Sequence, residues 1–521
     1  MTLSTPVCVG LAIPVLTAVA FGLRQAYLRF VAKTTVFIDE HYVAEQGPRR
    51  GKSAVVCGGS FAGMAAARVL LNHFDHVTVL ESEALDVGNT DWKSPRKNIV
   101  QASALHILQP AGFRMLERLF PGIRQRYLEL GVAPFNVVDG VFSVWGGVVM
   151  RPKAKDVDSV LASRTAYEAI VRAKLLECDP KRLNFKTAVT VQNLVIENGR
   201  VQGVTCYSKD DQGTFTLNAD LVVDATGRSS KGRRWLKDAG YPEIPEESYD
   251  PHIQYVNAIY EMAGPLPPFV ATMPRPGTQD RDAIFMTKME NNLCYVATQK
   301  VADTTSEGPK TDEEVDAIFE RVHDLWPFWK DLRKNIGRRV SDLKKVRVSP
   351  SRFVRYDLIR NCVGFVVVGD AFCSFNPIYG QGMTTAAMAA VTLSGVLRSN
   401  TPDADIPTAF HSLLQHRLHN IWLTNQVSDL AYDNIVPCVG KSRTDSDIKF
   451  MSSFSAGLFK AAHIDVHAAA VLCRSTSLVA WPHETLHPQV LWAFFKALVL
   501  GEKSSQNWEF RDGQLVQAPS A

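Results

Sequence analysis

The chain has little of what marks several functional classes. Its 521 residues carry a formal net charge of only +4, and no basic stripe with interleaved aromatics is present, so nothing points to nucleic acid. Nine cysteines, an odd number, include no Cys-x-x-Cys pair, which argues against a disulfide framework or a zinc site and for a reducing compartment. No metal site is expected. There is no Asn-x-Ser/Thr acceptor, as suits a domain kept out of the secretory lumen. Internal repeats are missing as well. What is present, 46% hydrophobic and 21% charged residues, marks a folded chain of more than one compact unit.

Long uncharged apolar runs are scarce, with an exception near the amino terminus. "PVCVGLAIPVLTAVAFGL", Pro6 to Leu23, has no charge over eighteen residues, about the length that crosses a bilayer's hydrocarbon core. Arg24, Arg29 and Lys33 follow it and no basic side chain precedes it, so the downstream domain is expected in the cytosol, anchored to a membrane, with the endoplasmic reticulum as the expected one. A cleaved signal peptide lacks its basic n-region here, and a helix packed on the domain's own surface is the third reading.

After the basic link "GPRRGK" comes "SAVVCGGSFAGMAAARVLLNHFDHVTVLES". Ser53 to Cys57 reads as a buried strand, Gly63 onward as a helix, and "HVTVLE" as a second strand ending in Glu81. The turn is a dinucleotide fingerprint with one change: Gly58, then Ser60 in place of the second glycine, then Gly63. Gly58 allows the tight turn, Gly63 allows helix to pack on strand, and the helix terminus offers amides to a pyrophosphate. Glu81 stands where an acid accepts the ribose hydroxyls of an adenosine.

A second stretch, "CVGFVVVGDAFCSFNPIYGQGMTTAAMAAV", runs from an unalternating apolar strand through a polar loop into an alanine-rich helix beginning near Gly382 or Thr384. Its helix start faces the strand's carboxyl end, where open α/β sheets bind anionic ligands, and Asp370 is placed to accept from a hydroxylated ligand. The bland reading is an ordinary βα turn.

A dinucleotide fold that begins near residue 53 and holds its ligand again near residue 370 must carry a long insertion. In this the chain resembles the FAD-dependent monooxygenases of the para-hydroxybenzoate hydroxylase type over roughly residues 52 to 400. "GGSFAG", with Gly58, Gly59, Ser60, Ala62 and Gly63, and then Glu81 are similar to the family's adenosine and pyrophosphate site. "GDAFCSFNP" matches its Gly-Asp motif through Asp370 and Pro377, and "GQGM", Gly380, Gln381, Gly382 and Met383, resembles the loop passing the flavin ring. "RKNIVQASALHILQP" is similar to R-x-G-V-P-Q-x-x-H-x-H of a microbial and fungal subgroup at Arg96, Gln101 and His106, departing at Asn98, Val100 and Ala104. "ASRTAYEAIVRAKLL" resembles the helix whose leading arginine, here Arg164, reaches the cofactor; a helix-start salt bridge is the other reading.

"LVVDATGRSSKGRRWL" sits where the superfamily has Asp-Gly-x-x-Ser-x-x-Arg. Aligned on Gly227, Ser230 and Arg233, it has Thr226 in place of the aspartate of this motif, which is associated in the family with both FAD and NADPH. The resemblance therefore implies FAD, with electrons from NADPH or NADH, or from a separate flavin reductase as in styrene-monooxygenase-like members.

The resemblance also implies a C4a-hydroperoxyflavin that inserts one oxygen atom from O2, by hydroxylation or epoxidation. Amides at Gly380 to Met383 could stabilise negative charge on reduced flavin, and the intermediate needs a dry pocket. "PHIQYVNAIYEM" and "NNLCYVATQK" alternate like strands, and "PLPPFVATMPRPG" between them reads as an irregular covering loop. Phe, Tyr and Met there fit either a hydrophobic small-molecule substrate or an ordinary core. His106, Tyr379 and Arg96 are the catalytic candidates, because the motifs bring them towards the ring; His106 is equally a packed or cofactor-orienting histidine.

The fold expected is α/β: a discontinuous Rossmann-like FAD-binding domain of the GR2 type with an inserted β-sheet substrate domain and a helical C-terminal region. Residues 1–50 are the anchor and linker, and 51–165 the first FAD-binding segment. A second FAD-binding segment, with hairpin strands around Asn198-Gly199, takes 166–235; the substrate sheet takes 236–350, the third FAD-binding segment 351–400, and the helical region 401–521. "HPQVLWAFFKALVLGEK" is a packed helix, a membrane-facing helix or a channel plug. The activity expected is monooxygenation of a lipophilic small molecule in fungal-style secondary metabolism. The alternatives are an FAD-dependent reductase or dehydrogenase acting on an isoprenoid, as in geranylgeranyl-reductase-like enzymes, and a non-catalytic flavoprotein. The Trp-x-Trp-x-Ile-Pro signature of flavin-dependent halogenases is absent.

Overall fold

A computed structural model describes residue 22 and residues 47–517, apart from 87–95, 98, 100, 101, 103, 133, 145, 146, 149–153, 275, 277–280, 327, 502–507 and 513. Pro6 to Leu23 thus lies, but for Gly22, outside the described residues. Among those described, no helix is long and apolar enough to cross a membrane.

The region expected to bind FAD is built on a five-stranded sheet whose strands are far apart in the chain. Strands β1 (Gly51–Cys57), β2 (Phe74–Leu80), β3 (Leu183–Lys186), β4 (Leu221–Asp224) and β5 (Phe365–Val367) stand in the order β5-β4-β1-β2-β3. All pairs are parallel, with Val55 opposite both Thr78 and Val222. β4 and β5 are buried at every position, the reason their sequences run apolar without alternation. Helix α1 (Phe61–Leu70) packs against β1, β2 and β4 and against both α2 (Arg164–Cys178) and α3 (Gly382–Arg398); α3 begins at the earlier of the two residues expected. Small residues let α1 and α3 approach closely, and the main core gathers Met64, Ala66, Phe365 and Ala387 between them.

Val189–Glu197, Arg200–Ser208 and Gly213–Asn218 form a three-stranded antiparallel sheet, with Asn198 and Gly199 at φ +49° and +74° in the expected tight turn. The inserted sheet has eight strands, and Gln254–Met262 pairs antiparallel with Leu293–Lys300. One expectation needs correcting here. Phe269–Met273, read from its prolines as a covering loop, is a strand that pairs antiparallel with Asp282–Met289 and parallel with Val141–Val144, more than a hundred residues earlier in the chain. That distant partner satisfies a backbone that the sequence left unpaired. The carboxyl-terminal region is helical, through α4 (Ile406–Leu430), α5 (Ser446–Ile464), α6 (Val466–Thr476) and α7 (Pro488–Leu498), and closes on a hairpin over Trp508–Arg511 and Gln514–Gln517.

Candidate functional site

The fingerprint turn leaves no choice of residue at two positions. Gly58 has φ +109°, and a Cβ on it would stand 2.4 Å from the Ala225 carbonyl oxygen. A Cβ on Gly63 would lie 1.9 Å from the Gly58 carbonyl oxygen, so helix α1 could not begin where it does. The Gly59 amide donates to Glu81 Oε2 at 3.0 Å, which fixes the acid at the end of β2. Ser60, in the second glycine's place, ties the turn to α2. Its hydroxyl accepts from Arg164 Nη2 at 3.0 Å and donates to Glu168 Oε2 at 3.2 Å.

Beside this turn lies a buried cluster of alternating charge. Arg164 Nη1 is 2.8 Å from Glu168 Oε2, and Arg172 reaches the same carboxylate at 3.5 Å. Arg96 bridges Glu81 at 2.7 Å, Glu83 at 3.2 Å and Glu168. Burial alone would raise the Glu168 pKa, but the guanidiniums of Arg164, Arg96 and Arg172 outweigh it and hold the carboxyl below its ordinary range. Arg96, whose burial works against its charge, is pushed up by Glu168 and Glu81. Arg96 therefore sits at the Glu81 end of the site. His106 lies within electrostatic reach of Arg164 and Glu168, and its Nδ1 is 2.9 Å from the Ala104 carbonyl oxygen. Burial, and then Arg164, lower its pKa to about 4, so at neutral pH Nδ1 donates to that carbonyl and Nε2 is left as an acceptor.

The second loop touches the first. Gly369, at φ +62°, would place a Cβ 2.7 Å from that of Ala62. Asp370 follows it, 3.4 Å from Arg228 Nε. Arg228 also donates to the carbonyls of Ser349 and Pro350 at 3.1 Å each and of Phe375 at 2.6 Å, so it pins the Ser349–Pro350 and Phe375 segments beside the Gly-Asp turn. Pro377 opens a short turn whose preceding Asn376 side chain accepts from the Ile378 amide at 3.2 Å. Gly380 ends it in the left-handed region, φ +63°, and Gln381, Gly382 and Met383 lead into α3. Gln109 Nε2 donates to the Tyr379 carbonyl at 3.1 Å, joining the segment that carries His106 to this turn. The Tyr379 hydroxyl points away into α4, donating to Asp429 at 2.7 Å, while Asn376 donates to the same carboxylate at 3.0 Å. Burial raises the Asp429 pKa to about 7.

Thr226, the residue that stands for the family's aspartate, donates its hydroxyl to Asp224 at 2.6 Å, and Ser230 does the same at 2.6 Å. Asp224 is fully buried and its pKa is raised by that burial, so this group organises the strand end. Gly227, at φ +72°, borders open space. Gln101 lies outside the described residues.

Three functional groups escape a motif reading. Glu168 is one helical turn beyond Arg164, a spacing that signals an ion pair but not its central place. Arg228 directly follows "DATG", and Asp429 carries no local signal at all.

The donor set fits FAD. If FAD binds here, Glu81 would receive the ribose hydroxyls, Ser60 and Arg164 with the α1 terminus would face the pyrophosphate, Asp370 would meet a hydroxylated chain, and the Gly380–Met383 amides would face the ring. A Cβ on Gly382 would meet nothing within 4 Å, leaving room at the amide end of α3.

A family model described as FAD binding domain matches residues 145–255, a segment that includes Arg164 and the "DATG" strand end. Protein Rv3254 of Mycobacterium tuberculosis is 27% identical over 390 residues, covering 73% of this chain and 80% of that protein. Among solved structures, the flavin-dependent brominase Bmp2 superposes with TM-score 0.56 at 13% identity over 87% of this chain and 99% of its own. The probable FAD-dependent monooxygenase pqsL of Pseudomonas aeruginosa gives TM-score 0.52 at 14% identity over 74% and 97%. Residues 145–255 thus match an FAD binding domain, and the chain shares its fold with solved flavin-dependent proteins such as Bmp2 and pqsL.

Proposed function

We propose that the chain is a monooxygenase that adds one oxygen atom to a lipophilic small molecule. The observation that carries this reading is the wall beside the Gly380 turn. Ile107, next to His106, lies 3.4 Å from where a Gly380 Cβ would be, and it packs against an apolar cluster that includes Phe135, Phe269 and Leu161, with Phe142 alongside. An apolar wall against the ring-facing turn suits a water-poor pocket for a hydrophobic substrate. FAD bound there would supply electron transfer and oxygen activation. The chain's own residues would orient the cofactor, exclude water and, through His106 Nε2, offer a proton acceptor near Arg164.

The Thr226 hydroxyl is engaged with Asp224, which supports a separate flavin reductase over NADPH or NADH as the direct electron source. The membrane tether through Pro6 to Leu23, a cytosolic catalytic domain at the endoplasmic reticulum, and a place in secondary metabolism belong to the same proposal. An isoprenoid reductase is the rival redox reading, and it would consume no oxygen. The test is anaerobic mixing with NADPH, then addition of a flavin reductase, followed by oxygen uptake with candidate lipophilic substrates. Substrate-dependent uptake with an oxygenated product supports monooxygenation. Reduced product without uptake replaces it with the reductase, and brominated product in the presence of bromide replaces it with halogenation.

A further inference from the structure

The region α5 to α7 presents an apolar face that no described element covers. Leu491, Trp492, Phe495, Val499 and Leu500 are 44%, 57%, 41%, 65% and 61% exposed, and Phe450 on α5 is 68% exposed. The opposite side of α7, through Val490, Ala493 and Ala497, is buried. The crossing with α5 is close, since a Cβ on Gly457 would come within 2.2 Å of the Phe494 ring. The outer face is therefore rigidly mounted. Trp492 and Phe495 stack with centroids 5.5 Å apart, and Phe450 and Phe454 stack at 6.4 Å.

Charge decides what such a face suits. No acid occurs between Asp447 and Asp465 or between Glu484 and Glu502, while Lys449, Lys460 and Lys496 lie within those spans. An apolar stripe with tryptophan, on helix spans that carry lysines and no acid, complements the boundary between acyl chains and anionic headgroups. Behind it, the α5–α7 core takes in Phe142, and Phe142 also borders the cluster that reaches Ile107.

We propose that α7, with the Phe450 end of α5, is a docking face for the surface of an anionic phospholipid bilayer. It is separate from any tether at Pro6 to Leu23 and independent of which redox reaction the site performs. Brominated-lipid quenching of tryptophan fluorescence tests it on the full chain, with vesicles of phosphatidylcholine alone or mixed with phosphatidylserine. Quenching is expected with phosphatidylserine, is mostly lost in Trp492→Phe, and weakens when phosphatidylserine is removed from the vesicles. Trp492→Glu with Phe495→Glu should lower partitioning about tenfold, with FAD content and thermal midpoint unchanged. Quenching identical in wild type and Trp492→Phe overturns the proposal, because binding would then run through another segment. So does a concentration-dependent dimer, dissolved by the double variant, in a protein whose Trp492 the vesicles do not quench; the face would then belong to a second copy.

Discussion

The Tyr379 hydroxyl donates to Asp429 over 2.7 Å, across a buried contact between the turn that precedes α3 and helix α4. Asn376 donates to the same carboxylate, and among the described residues no lysine or arginine pairs with it. A buried carboxyl held only by neutral donors is costly to ionise. Its state therefore bears on the Pro377–Tyr379 turn.

The sign of the pH effect follows. Asp429 has a folded pKa of about 7, above the ordinary carboxyl value of 3.8, so between those pH values the folded chain binds more protons than the unfolded one. Its contribution is present at low pH and is lost as pH rises through 7. Asp429→Asn should remove that slope, and the stability difference between variant and wild type should change by on the order of 2–4 kcal/mol from pH 4 to pH 8. Denaturant unfolding at several pH values checks it.

His106 works in the opposite direction. Its folded pKa of about 4 lies below the ordinary 6.5, so the unfolded chain binds more protons between them and stability grows as pH rises through that window. His106→Gln should flatten this rise. The same unfolding series measures it, separately from the Asp429 variant.

Glu168→Gln should destabilise the chain by about 3–5 kcal/mol, because three arginines lose their shared buried carboxylate. Excess FAD should recover some of the lost thermal midpoint, since its pyrophosphate gives Arg164 another anion to face. A deficit equal with and without FAD would place Arg164 away from the cofactor.

Gly58→Ala should abolish FAD retention. The methyl group would need a left-handed backbone at φ +109° and would collide with the Ala225 carbonyl, at a cost of about 1–3 kcal/mol from the backbone alone. Flavin absorbance per chain after desalting reads this directly.

Arg228→Lys keeps the charge but loses the fork that holds the Ser349, Pro350 and Phe375 carbonyls, so stability should fall by about 1–3 kcal/mol. Release of FAD on dilution should quicken as the Gly369–Asp370 turn loosens, which flavin fluorescence would follow.

Local chemistry explains what could be read from the sequence. The β1 turn, α1 and Glu81 were legible because glycine positions and an unalternating strand leave few other conformations for that stretch. The start of α3 was legible for the same reason. Phe269–Met273 was not, because the prolines on both sides of it resemble a loop and its strand partners lie elsewhere in the chain. Asp429 was hidden by distance, fifty residues from the tyrosine it holds. Arg96 was legible as a motif residue, but only the fold shows it meeting Glu81, Glu83 and Glu168.

The order β5-β4-β1-β2-β3 has a consequence during synthesis. β4 pairs with β5, so when a ribosome has delivered residue 224 the Leu221–Asp224 strand still shows an open, wholly buried-type edge. That edge waits until Phe365–Val367 emerges, with six of the inserted sheet's eight strands made in between. Over that interval the nascent chain carries an unpaired apolar strand edge, and helix α3, which packs against α1 in the finished fold, has not yet been made.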